Sequence, residues 1–160
     1  MKAKKKQVLI ALDYDPTAQK VANEGFALAK AMNADVILLH VISDILYYYS
    51  PEYSPIMGLS GEMVSFPIHA EGDVGLKKAA QDFLDKSKGL LGDETIKTVI
   101  KEGNLADSIL NTAKNLHIDI IVMGSHSRKW LEKIVMGSVT ESVLNQTNRP
   151  LYIVPTRSHK

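Results

Sequence analysis

Ile118-Asp119-Ile120-Ile121-Val122-Met123-Gly124-Ser125-His126-Ser127, running on through Arg128 to Met136 and into Gly137-Ser138-Val139-Thr140-Glu141, is the stretch that decides the fold. Its opening run is apolar and mostly β-branched, the composition of a strand buried on both faces. Gly124 ends that run, a polar and charged segment follows, and Gly137-Ser138 opens a helical pattern carrying Val139, Val143 and Leu144. A strand, a glycine turn, a loop and a glycine before a helix leave backbone N–H groups at the helix N-terminus, where the dipole suits a phosphate. A second reading stands beside the first. Ser138 and Glu141 have the S-x-x-E spacing of a capping box, in which serine bonds the third residue's N–H and glutamate reaches back. No lysine follows Gly137, so the Walker A loop of P-loop kinases and GTPases is excluded.

On either side of this stretch the chain alternates strands and helices. Upstream, Gly103-Asn104 is placed to cap a helix carrying Ala106, Ile109, Leu110 and Ala113, and Asn115 and His117 lead out of it. Before that, Thr95 to Lys101 reads as a strand with one wetter face, and Val74 to about Leu91 as a helix closed by Gly89 or Gly92. Downstream, Asn148-Arg149-Pro150 leads into a last strand, Leu151 to Val154. At the start of the chain, Val8 to Leu12 is a short apolar strand and Asp13-Tyr14-Asp15-Pro16 a turn. Asp15 is expected to cap a helix with Pro16 at its first position, which runs to about Asn33. Val36 to Val41 follows as a strand, and a strand–helix–strand unit of this kind is parallel by default. Five strands alternating with four helices predict an α/β fold: a three-layer, doubly wound, five-stranded parallel sheet.

Between Ile42 and about Asp73 the periodicity dissolves among Pro51, Pro55, Gly58, Gly61, Pro67 and Gly72. Loops of that length are uncommon in compact domains and are often functional. With Tyr47, Tyr48, Tyr49 and Tyr53 near its start, this one is expected to cover the sheet edge, the cleft or a partner.

A chain of 160 residues is one domain by length and can bury about 70% of the surface its unfolded form exposes. A formal net charge of +1 gives no reason to expect nucleic acid or an anionic membrane as partner. The chain has no cysteine, which is compatible with a reducing cytosol. Met1 to Lys6 is basic, but the apolar run from Val8 to Leu12 is too short for an export signal or a membrane span, so residues 1–6 read as a solvated tail. The five histidines show no metal-ligand spacing. His40, inside an apolar strand, is expected to be a hydrogen-bonded core residue.

The pattern Gly-x-x-Gly, nine residues, Gly-Ser resembles the nucleotide-binding signature of the universal stress protein family. Here it stands as Gly124-Ser125-His126-Ser127, Arg128 through Met136, then Gly137-Ser138, with Ser127 in place of the second glycine. Val8-Leu9-Ile10-Ala11-Leu12-Asp13 resembles the family's first strand, Leu38-Leu39-His40-Val41 the end of its second, and Arg149 to Pro155 its last, so the similarity spans nearly the whole chain. The resemblance implies a cytoplasmic, Rossmann-like (adenine nucleotide alpha hydrolase-like) domain with strand order 3-2-1-4-5. It also implies a homodimer paired through Leu151 to Val154. One branch of the family binds ATP and another binds no nucleotide; serine at 127 is small enough for the first and would strain if the position needs a positive φ.

Carried over position by position, the resemblance places adenine and ribose against Ala11, Asp13 and Val41. It places the triphosphate along Gly124, Ser127, Arg128, Gly137, Ser138 and Val139, with magnesium or manganese carried by the phosphates. Arg128 is open to two readings, a phosphate partner or a solvated loop cation beside Lys129. No nucleophile with an attendant base and no assignable carboxylate pair stand out. The expectation is therefore a nucleotide-holding module, with slow ATP hydrolysis left open.

Overall fold

The computed structural model describes residues 3–43, 72–125 and 137–156. Within them run β1 (Gln7–Ala11), α1 (Ala18–Ala31), β2 (Asp35–Ile42), α2 (Gly72–Leu91), β3 (Lys97–Glu102), α3 (Leu105–Asn115), β4 (Ile120–Gly124), α4 (Ser138–Gln146) and β5 (Leu151–Val154). The strands form one sheet in the order β3-β2-β1-β4-β5, all pairs parallel. This is the predicted doubly wound α/β sheet and strand order.

The period of two along each strand sorts side chains to opposite faces. Val8, Ile10 and Leu12 pack with Val36 and Leu38 under Val21 and Ala22 of α1 and Phe83 and Leu84 of α2. Leu9, Ile37, Leu39, Val41, Ile121 and Met123 pack on the other side against Ala106, Ile109 and Ala113 of α3 and Val143 of α4. Each fully buried leucine or isoleucine among them contributes roughly 1.5–3 kcal/mol, which is why a sheet buried on both faces needs near-continuous apolar strands.

Local signals set the element ends. Asn104 caps α3 as expected, its side chain accepting the Asp107 N–H at 3.0 Å. Gly92, with φ of +71°, closes α2, its N–H bonding the Lys88 carbonyl at 3.0 Å. Asn33 follows α1 with φ of +53°, a left-handed conformation that asparagine tolerates. The expected start of α1 at Pro16 is corrected. Asp15 spends its carboxylate on a tight turn, accepting the Thr17 N–H at 2.8 Å and the Thr17 hydroxyl, and the helix begins at Ala18. β4 starts later than the apolar run because Asp119 is tied to Gln7, main chain to main chain at 2.9 Å and carboxylate to Gln7 N at 2.8 Å.

Of the expected loop from Ile42 to Asp73, Ile42 belongs to β2 and Gly72 and Asp73 already to α2; the tyrosine-bearing part, residues 44–71, lies outside the described residues. At the N-terminus residues 3–6 are exposed, with Lys5 pairing Asp35 at 2.7 Å.

Candidate functional site

From β1 the chain winds one way, to β2 and β3; from β4 it winds the other way, to β5. The adjacent parallel strands β1 and β4 therefore mark the reversal outside whose C-terminal ends such sheets hold ligands. Ala11 is the last residue of β1 and Gly124 the last of β4. Asp13 lies two residues beyond β1, half-buried, one carboxylate oxygen accepting the Asp15 N–H at 3.2 Å. Val41 is buried near the end of β2, and Val139 is in the first turn of α4. Ala11, Val41 and Val139 belong to one apolar cluster with Met123, on the side of the sheet that α3 and α4 cover. Three predicted residues from three distant parts of the sequence thus share one wall.

The start of α4 separates the two readings of Gly137-Ser138. Gly137 is the N-cap, extended at φ −56° and ψ 148°, and among the described residues no side chain caps the helix. The capping box is not formed. Ser138 is the first helical residue rather than the cap, which puts its hydroxyl past the N–H groups a cap would reach and Glu141 one position too deep to reach back. Ser138 is exposed, and the Glu141 N–H is taken by the Gly137 carbonyl at 2.9 Å. Among the described residues the N–H groups of Ser138 and Val139 meet no acceptor.

Main-chain and hydroxyl bonds hold this turn against the strand ends. Gly137 N–H donates to the Ser125 carbonyl at 3.2 Å, so the chain leaves β4 and enters α4 at nearly the same point. The Thr140 hydroxyl donates to the Gly124 carbonyl at 2.9 Å, Ser125 N–H to the Val154 carbonyl at 2.9 Å, and Thr156 N–H to the Ser125 hydroxyl at 3.2 Å. Sequence reasoning missed Thr140 and Thr156, which carry no motif. The Thr156 hydroxyl is buried and has no hydrogen-bond partner among the described residues.

Gly124 has a packing reason of its own. A Cβ there would stand 3.0 Å from methyl groups of both Val21 in α1 and Thr156, so the absence of a side chain serves close packing at the strand end whether or not a phosphate approaches. His126, Ser127 and Arg128 lie outside the described residues. His40 is the hydrogen-bonded core residue expected: it is buried, with Nδ1 2.8 Å from the Leu12 carbonyl. Among the described residues no cluster of three or more histidine, aspartate and glutamate side chains could hold a metal, and no helix is long and apolar enough to cross a membrane.

A sequence model of the universal stress protein family matches residues 5–155. A universal stress protein of Methanocaldococcus jannaschii is 26% identical over 96% of this chain and 96% of its own length. The universal stress protein YxiE of Bacillus subtilis is 27% identical over 92% and 97%. The solved structure of the M. jannaschii protein superposes with a TM-score of 0.71 at 27% identity, covering 98% of this chain and 100% of that one. A universal stress protein from Archaeoglobus fulgidus, in complex with dAMP, shares the fold at a TM-score of 0.57 and 15% identity over 92% and 96%. Another, in complex with cAMP, does so at 0.63 and 16% over 97% and 100%. With a family match over nearly its full length and a sheet wound in the predicted order, the chain belongs to the universal stress protein family.

Proposed function

We propose that the chain is a single universal stress protein domain that binds ATP and acts as a cytoplasmic homodimer in the stress response. The observation that carries this reading is the start of α4: among the described residues its first-turn N–H groups have no side-chain cap, and Gly137 and Thr140 are bonded to the end of β4, beside the reversal of the sheet. A helix that needed only a cap would use the Ser138 and Glu141 at hand. In this reading the triphosphate lies along Gly124, Gly137, Ser138 and Val139, meeting the N–H groups of the last two and the Ser138 hydroxyl, with Ser127 and Arg128 as further partners. Adenine and ribose lie against Ala11 and Val41, with the Asp13 carboxylate as acceptor for the ribose hydroxyls. A divalent ion would arrive with the phosphates and keep several waters. The structures of relatives with cAMP and dAMP are consistent with an adenine nucleotide as the ligand class.

The packing of Gly124 against Val21 and Thr156 favours a second reading, a nucleotide-free dimer with a protective or partner-binding role, because that glycine no longer argues for phosphate by itself. Denaturing the purified protein and identifying the released nucleotide decides between them. Under the first reading ATP at about one hundred times its dissociation constant adds about 2.7 kcal/mol of stability. That raises the midpoint of unfolding by roughly 5–10 °C at this chain length. No released nucleotide, and no shift with millimolar ATP and magnesium, would overturn the first and favour the second. Steady phosphate release from bound ATP, lost in Asp13→Ala, would add hydrolysis to the first.

A further inference from the structure

At the last residues of β1 the chain must leave the sheet and deliver Asp13 to the cleft. Leu12 N–H still bonds the Leu39 carbonyl at 2.8 Å, one step beyond the last paired residues of the two strands. The Leu12 carbonyl is met by a side chain, Nδ1 of His40 at 2.8 Å. A carbonyl only accepts, so Nδ1 carries the proton and the imidazole is fixed as the donor. His40 is 2% exposed, and its ring forms a three-ring cluster with Tyr14 and Phe83, whose centroids are 4.4 and 5.7 Å away. Tyr14, the residue after Asp13, meets Phe83 of α2 edge-on at 5.0 Å. The residues immediately before and after Asp13 are thus both held by one buried imidazole. Leu12, Tyr14 and Phe83 belong to the apolar cluster under α1 and α2, whereas Ala11 and Val41 belong to the cluster on the other face. His40 therefore meets Leu12 and Tyr14 on the face of the sheet opposite the one that Ala11 and Val41 line.

We propose that His40 is a positioning residue for the nucleotide site: by donating from Nδ1 to the Leu12 carbonyl and packing against Tyr14, it sets the path of the chain through Asp13 and so the placement of the Asp13 carboxylate. This rests on the ATP reading above. His40→Asn keeps a donor where Nδ1 stands, and His40→Phe keeps the ring and loses the donor. Affinity for ATP with magnesium is measured by calorimetry on the full chain, alongside thermal unfolding. His40→Asn should bind within about threefold of wild type, and His40→Phe about tenfold or more weakly while still folded. In an Asp13→Ala background His40→Phe should cost no further affinity, because a residue that works only through another is not additive with it. A purely stabilising role would lower the unfolding midpoint and leave the coupling at zero. Undiminished affinity in folded His40→Phe, or the same tenfold loss with Asp13 already removed, overturns the proposal while the nucleotide reading stands. A wild-type protein that binds no ATP overturns both. Should His40→Phe fail to fold, the wild type decides: the Nδ1–H proton resonance, protected by the Leu12 bond, should move when ATP is added, and an unmoved resonance overturns the proposal.

Discussion

At the scale of single residues the sharpest demand is made at Gly25, where α1 crosses β1. A Cβ there would stand 2.7 Å from Cδ1 and 2.9 Å from Cγ1 of Ile10, and 3.1 Å from Cγ1 of Val122. Alanine in a helix interior is favoured over glycine by about 1 kcal/mol, yet crowding a packed core costs about 1–3 kcal/mol. Crowding should win, because Ile10 and Val122 are completely buried and have nowhere to move. Gly25→Ala is expected to lower stability by about 1 kcal/mol in denaturant unfolding, against its helix propensity; a stabilised variant would show that the two elements can separate freely. Nothing near Gly25 in sequence announces this, since its neighbours are brought by the fold. The same holds for Gly124, legible as a strand end but not as a contact of Val21 and Thr156. His40 was legible as a bonded core residue, because an imidazole in an apolar strand needs a partner, but that partner lies 28 residues away in the chain.

Asp93 offers a titration that can be followed alone. The Thr95 hydroxyl, at 2.6 Å, and then the Thr95 N–H, at 2.8 Å, bond the charged carboxylate and hold its pKa below the ordinary aspartate value. A folded-state pKa below the unfolded one means a stabilising contribution that is present above the unfolded value and disappears as pH falls through the folded one. The carboxylate is open to solvent, so the effect belongs in its titration curve. Carboxyl NMR should show a depressed value that moves back toward the ordinary one in Thr95→Val; an unmoved value would assign the shift to the backbone bond.

Among elements, α3 and α4 make a matched pair. Both begin with a polar residue that the sequence marks as a cap, and only one is used as such. Asn104 accepts a first-turn N–H, so Asn104→Ala is expected to cost about 1 kcal/mol, or roughly 2–4 °C of unfolding midpoint. Ser138 caps nothing, so Ser138→Ala should leave the nucleotide-free protein within about 0.5 kcal/mol of wild type. Its effect should appear instead in ATP affinity, reduced about tenfold, since a hydrogen bond to a charged group contributes about 1.5 kcal/mol or more. A stability loss in Ser138→Ala equal to that of Asn104→Ala would mean a cap and not a ligand donor. The same contrast shows why element types were readable and their ends less so. Periodicity over many residues fixes a helix or a strand, whereas the first turn depends on where one carboxylate or hydroxyl finds its partner. Asp15 bonded Thr17 and moved α1 to Ala18; Gly137 took the cap position and left Ser138 inside the helix.

For the whole molecule, the two edges of the sheet differ in what they invite. β3 carries Lys97, Lys101 and Glu102, and charges of that kind on an edge discourage further pairing. β5 is Leu151-Tyr152-Ile153-Val154, without charge, and among the described residues it pairs only with β4. Tyr152 is 40% exposed on it, and Leu144 of the neighbouring α4 is 45% exposed. An uncharged edge, unpaired among the described residues and flanked by apolar surface, suits a second copy of itself, and a two-fold axis would pair the two β5 strands antiparallel. The expected mass in solution at micromolar concentration is therefore twice the chain's 17.6 kDa. Tyr152→Lys should give a folded monomer, because the substituted side chain faces solvent in the single chain and its charge would be repeated across the axis. Sedimentation equilibrium on the two proteins checks this: a wild-type monomer, or a variant that still dimerises, would place the contact on another surface.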